Sequence, residues 1–195
     1  MKRRLIALGA ALIITGMVTG CTSAAQTFST GGSESFTDGD FQVAEILPPD
    51  RGQPVQFEGM LETGQRVTSD EYRGEVLVVN FWYAACGPCI VEAPLLEEVF
   101  LRYQDEGVEF LGVNTYDQAE TALSFARENN VTYPSVIDVN DGQVKLAFAQ
   151  LTPIQATPTT LVVDRQGRLA ARIIGQLPSA SILSAIVADT LAEEP

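Results

Sequence analysis

Cys86-Gly87-Pro88-Cys89 is the stretch of this chain best suited to covalent chemistry. Two cysteines three positions apart can close a disulfide and open it again, each time through attack of a thiolate on sulfur. The pair stands between an apolar, β-branched run from Val76 to Trp82 and a helical periodicity at Leu96, Val99, Phe100 and Tyr103. A CxxC pair where a buried strand ends and a helix begins is in the setting of a redox-active pair. Cys86 then falls at the helix N-terminus, where unpaired N–H groups and the helix dipole stabilise a thiolate, and Cys89 falls one turn in and more buried. Cys86 is the expected attacking thiol and Cys89 the resolving one. A structural zinc site is a weaker reading, because zinc takes four ligands and a chain without histidine, whose third cysteine is Cys21, brings only two thiolates here. A purely structural bridge is weaker too, because so short a loop restrains the unfolded chain little.

The rest of the composition narrows the chemistry. With no histidine there is no Ser/His or Cys/His arrangement and no imidazole metal ligand, so neither a metal nor a separate cofactor is expected beyond the Cys86–Cys89 disulfide itself. The formal charge of −13, with Lys2, Arg3 and Arg4 in a segment expected to be removed, argues against nucleic acid as a partner. A 195-residue chain with 46% hydrophobic residues suits one buried domain plus a targeting segment.

That segment is residues 1–20: basic at Lys2, Arg3 and Arg4, apolar from Leu5 to Val18, then small residues before Cys21. Leu5 to Val18 is shorter than the roughly 20 residues that span a bilayer. Val18-Thr19-Gly20-Cys21 resembles a bacterial lipobox, which implies a lipidated Cys21 and a protein held on the outer side of the cell membrane. Residues 21–49, rich at first in Ser, Thr, Gly and acidic side chains, read as a flexible tether, and residues 50–195 as the folded domain.

Around the cysteines the chain reads as a series of strands and helices. Val55, Phe57, Gly59 and Leu61 alternate ahead of Arg66-Val67-Thr68, a hairpin pattern, with a turn at Ser69 to Arg73. Val76 to Trp82 reads as a strand buried on both faces. The helix after Cys89 is expected to kink at Pro94 and to end at Gly107. Val108 to Val113 is the next strand, and Asp117 to Glu120 a capping-box-like start to a helix with Ala119, Ala122, Leu123 and Ala126 inward. A strand near Pro134 to Val139, a short helix from Gln143 to Phe148, a hairpin of Thr159 to Val163 with Arg168 to Ile174, and a last helix from Pro178 complete the chain. Helix-covered parallel strands followed by an antiparallel hairpin predict an α/β domain with a mixed central sheet.

Asn80-Phe81-Trp82-Tyr83-Ala84-Ala85-Cys86-Gly87-Pro88-Cys89 resembles the active-site segment of the thioredoxin superfamily, and the region from Phe57 to Ile186 resembles its TlpA/ResA-like extracytoplasmic group. The resemblance implies a thioredoxin-like fold with helices on both sheet faces, an N-terminal hairpin and an inserted helix. It implies that Thr157-Pro158 is a cis peptide facing the disulfide, with the Thr157 backbone free to pair with an extended substrate; an ordinary trans proline opening a strand is the other reading. Glu92 matches a glutamate that the group places near its active site to manage the proton of the resolving thiol, and a solvated helix carboxylate is the equal alternative. Asn80 stands where thioredoxin has a buried aspartate. Trp82 is expected beside the disulfide or simply in the core.

The function these residues imply is that of an extracytoplasmic thiol-disulfide oxidoreductase acting on protein thiols or disulfides. The resemblance favours the reducing direction, with a membrane thiol carrier as electron source and cytochrome c maturation as one use. Two alternatives stand beside it: a peroxiredoxin-like peroxidase, whose motif would need Pro at Val79 and Thr at Tyr83, and a non-catalytic lipoprotein that only binds a partner.

Overall fold

The seven residues Val76 to Trp82 are all buried, and the fold is arranged around them. In the computed structural model, which describes residues 35–38 and 41–193, they form a strand covered on both faces. Strands and helices run in the order β1 (Ser35–Asp38), β2 (Phe41–Glu45), β3 (Glu58–Met60), β4 (Arg66–Thr68), β5 (Val76–Trp82), α1 (Gly87–Tyr103), β6 (Val108–Asn114), α2 (Ala119–Asn129), β7 (Ser135–Ile137), α3 (Gln143–Ala149), β8 (Thr159–Val163), β9 (Leu169–Ile174) and α4 (Ala180–Ala192). The main sheet has the order β1-β2-β9-β8-β5-β6-β7, and β3 and β4 form a separate hairpin. β5 pairs in parallel with β6 and antiparallel with β8, so the sheet is mixed, as the sequence predicts.

Alternation along β5 divides the core in two. Val76 and Val78 face a cluster with Leu96 and Val99 of α1 and Leu183 and Val187 of α4. Leu77, Val79 and Phe81 face the other layer, with Val55, Phe57, Val67, Val144 and Phe148. Each such side chain removed from water stabilises the fold by about 1.5–3 kcal/mol, so a one-residue slip of β5 would be costly on both sides.

Three expectations need correction. The expected start of the folded domain at residue 50 is too late: β2 pairs antiparallel with β9, placing Val43 opposite Ile173, and Val43 is buried in the core. The polar composition around it hid a strand whose stability comes from a distant partner rather than from its own residues. α1 ends at Tyr103, with Gly107 at φ 84° leading into β6. Asp117 does not cap α2; Gln118 is the N-cap, without a side-chain bond, and Ala122 and Phe125 are the residues α2 buries. The proposed leader and Cys21 lie outside the described residues. None of the described helices is long and apolar enough to cross a membrane.

Candidate active site

Cys86 closes the loop after β5 and is the N-cap of α1. A helix start leaves N–H groups without acceptors, and here the cap acceptor is sulfur: Cys89 N–H donates to Cys86 Sγ at 3.2 Å. Pro88 in the first turn has no N–H to satisfy. Cys86 and Cys89 are joined in a disulfide, with Cα atoms 5.2 Å apart. Upon reduction the same N–H and the helix dipole are placed to stabilise a Cys86 thiolate. The expected contrast in burial is not seen in the oxidised pair, in which Cys86 is 3% exposed and Cys89 2%. Cys86 is covered by the loop before β8, where Thr157 O lies 3.9 Å from Cys86 Sγ.

That loop carries the cis peptide Thr157-Pro158. It is fixed on both sides, by Thr159 Oγ1 donating to Ala156 O at 2.8 Å and Gly175 N–H donating to Pro158 O at 3.0 Å. The Thr157 N–H and carbonyl make no backbone pair among the described residues. The disulfide therefore faces a short length of backbone with unused hydrogen-bonding capacity, the feature that lets an extended peptide add to a fold.

Glu92 lies three residues after Cys89, on the same helix face. It is 1% exposed, so it is not a solvated helix carboxylate. Asn80 Nδ2 donates to Glu92 Oε1 at 2.8 Å and Leu177 N–H donates to Oε2 at 2.9 Å. Burial pushes its pKa up from the ordinary carboxyl range to about 7, against these two bonds, which favour the ionised form. Asn80 also donates to Thr160 Oγ1 at 3.1 Å, so it links β5, α1 and β8 at the level of the disulfide.

Trp82 is both a neighbour of the cysteines and a core residue: it packs in one cluster with Cys86 and Cys89, its ring 4.4 Å from that of Phe125, and Nε1 donates to Ser135 Oγ at 3.3 Å. Asp117, expected as a helix cap, instead accepts from Ala84 N–H at 2.6 Å and Asn114 Nδ2 at 3.0 Å. It thus tethers the loop that precedes Cys86, a role the sequence did not disclose because the two segments are distant along the chain. An open groove runs from Thr157 past Tyr83, Tyr116 and Lys145, and Tyr116 is 73% exposed. Among the described residues no cluster of three or more Cys, Asp or Glu is placed to hold a metal ion.

Residues 52–172 match the AhpC/TSA family. The chain belongs to that family. Within it, the chain is similar to the thiol-disulfide oxidoreductase ResA of Geobacillus thermodenitrificans, at 35% identity over 112 residues, which are 57% of this chain and 62% of that protein. The chain thus spans less than two thirds of the length of this curated relative. AhpC/TSA membership agrees with the fold likeness to a secreted thiol-disulfide isomerase of Corynebacterium glutamicum, with TM-score 0.71 and 24% identity over 83% of this chain and all of that one. A DsbF homologue of Corynebacterium diphtheriae is similar at 27% identity and TM-score 0.66, over 81% of this chain and 99% of the other.

Proposed function

We propose that this protein is an extracytoplasmic thiol-disulfide oxidoreductase that exchanges the Cys86–Cys89 disulfide with cysteines of partner proteins. The observation that carries the reading is the disulfide at the N-terminus of α1, facing the cis Thr157-Pro158 peptide with its free backbone groups. In the reducing direction the Cys86 thiolate attacks a partner disulfide, giving a mixed disulfide and a partner thiol. Cys89 then attacks Cys86 Sγ; the Cys86–Cys89 bond forms, and the second partner sulfur leaves with its electron pair. Glu92, buried three residues after Cys89 with its pKa pushed up to about 7, sets the charge around the resolving thiol. Thr157 holds the incoming segment by its backbone, and Trp82 walls the disulfide with Phe125.

The resemblance to the TlpA/ResA-like group favours the reducing direction, with a membrane thiol carrier renewing the dithiol and the disulfide of a cytochrome c apoprotein as one class of target. The N-terminal sequence supports export and lipidation at Cys21, which fractionation of cells producing the full chain checks. The disulfide serves as the redox group, with no added cofactor. The peroxidase alternative is disfavoured by Val79 and Tyr83, which occupy the positions where its motif needs Pro and Thr.

The test is equilibration in graded thiol-disulfide buffers, with the Cys86–Cys89 couple followed by alkylation and mass. A potential near or below about −250 mV supports a reductant, one near −120 mV an oxidant, and no reversible couple overturns exchange in either direction. Cys86→Ser is expected to abolish reduction of insulin, and Cys89→Ser to accumulate a mixed disulfide on Cys86.

A further inference from the structure

Cys89, but not Cys86, lines a small, partly open cavity with about 20 Å³ of room for water, enough for a single molecule. Its polar wall is formed by Asn80, Tyr133, Ser135 and Glu62, with Trp82 beside them. Asn80 is 4% exposed and Tyr133 6%. Asn80 uses Nδ2 twice, while its Oδ1 accepts no hydrogen bond, and the Tyr133 hydroxyl has no partner either, among the described residues. No side-chain polar atom there is both sealed from water and unpaired. Each of these two atoms therefore has room for a water, and both residues line this cavity.

The titratable groups facing it are few. α1 brings Cys89, and the charges of its Glu92 and Glu97 act on Tyr133. Both of those carboxyls are committed, Glu92 to Asn80 and Leu177, and Glu97 to the N–H and hydroxyl of Thr132. α2 contributes only Ala122, Phe125 and Ala126. Glu62, on the turn between β3 and β4, accepts from Ser135 N–H at 2.7 Å through Oε2 and is half-buried, with Oε1 uncommitted among the described residues.

We propose that a water held in this cavity by Asn80 and Tyr133 carries the proton between Cys89 and the Glu62 carboxylate, which exchanges it with solvent. The inference rests on the exchange chemistry above. In the mixed disulfide Cys89 is a thiol; its proton passes to the water, which passes one of its own to Glu62. The Cys89 thiolate attacks Cys86 Sγ, the Cys86–partner bond breaks, and the electron pair leaves on the partner sulfur. Glu92 is buried and does not line the cavity, so the cavity supplies the route by which Cys89 and the solvent exchange a proton. Tyr133 is a positioning residue on that route.

The reduced full chain is mixed with an aromatic disulfide that releases a coloured thiolate at each step, so that attack by Cys86 (second order) and resolution by Cys89 (first order) are timed separately from about pH 5 to 9. In Tyr133→Phe and Glu62→Gln the first phase keeps the wild-type rate, while the second slows by about tenfold or more below pH 7 and recovers as hydroxide takes the thiol proton directly. Glu62→Asp restores most of the rate. Second phases in Glu62→Gln that follow wild type at every pH, or that are slowed equally at every pH, overturn the proposal. Because Glu62 sits on a half-buried turn, its Gln and Asp variants decide the matter even if Tyr133→Phe fails to fold. A wild-type protein that shows neither phase overturns the exchange reading itself.

Discussion

A carboxyl held neutral inside the fold makes stability depend on pH. Glu92 has a folded pKa of about 7, above its ordinary value of 4.5, so the fold prefers the protonated form. Its contribution is fully present below about pH 4.5 and is lost as pH rises through about 7, a difference on the order of 3 kcal/mol. Glu92→Gln cannot ionise. Urea unfolding of the oxidised wild type should lose stability relative to this variant between pH 5 and 8; parallel curves would show that the carboxyl is not raised. The slope is the readout, because the amide also faces two donors and loses a hydrogen bond at every pH. At this scale the sequence displayed what is local. Cys86 and Cys89 announce themselves by spacing, and Thr157-Pro158 by family resemblance. Glu92 stayed ambiguous because a helix residue does not reveal which face will be buried. Ser135 and Glu62 carried no signal, since Ser135 meets Glu62 across 73 positions and Trp82 across 53.

Strands and helices were legible where an apolar run or a helical spacing is unbroken, as in β5, β6, β8 and α4, and less so where a partner decides. β2 is held by β9, and α2 turns Phe125 inward to meet Trp82. Gly112 in β6 shows how closely these elements fit. It pairs with Asn80 of β5 on one side and Ser135 of β7 on the other. A Cβ there would stand 2.1 Å from Ser135 Oγ and 2.8 Å from Trp82 Nε1, both in the hydrogen-bonded pair beside the disulfide. Gly112→Ala should therefore cost about 1–3 kcal/mol in chemical denaturation and shift the near-ultraviolet signal of Trp82. A change within about 0.5 kcal/mol, the size of an ordinary surface substitution, would mean that Ser135 and Trp82 move aside without loss.

For the whole molecule, the strand order could not be read from the chain, because it is set by contacts far apart in sequence. β1 and β2 extend the sheet, and Arg51 bonds Asp164 at 2.9 Å and both carboxylate oxygens of Glu193 at 2.5 and 2.6 Å, tying the N-terminal approach to the β8–β9 turn and to the end of α4. Asp164 is 2% exposed and its pKa is lowered by its bonds to Arg168 and Arg51, which outweigh burial, so this tie loosens as pH falls through its folded pKa. With the body starting by Ser35, residues 22–34 rather than 22–49 separate it from Cys21, a reach of at most roughly 45 Å at full extension. Under the proposed lipid anchor, a shorter tether keeps the disulfide close to the membrane and raises its effective concentration toward a membrane-bound electron donor. Cys21→Ala should move the full chain from the membrane to the soluble extracytoplasmic fraction, leave insulin reduction by a soluble thiol at its wild-type rate, and slow re-reduction by the membrane donor. Insulin reduction draws on the Cys86–Cys89 site alone, whereas re-reduction depends on where that site is held. A variant that stays with the membrane would show that attachment does not run through Cys21, and one that is released yet re-reduced at the wild-type rate would show that the anchor does not serve the electron supply.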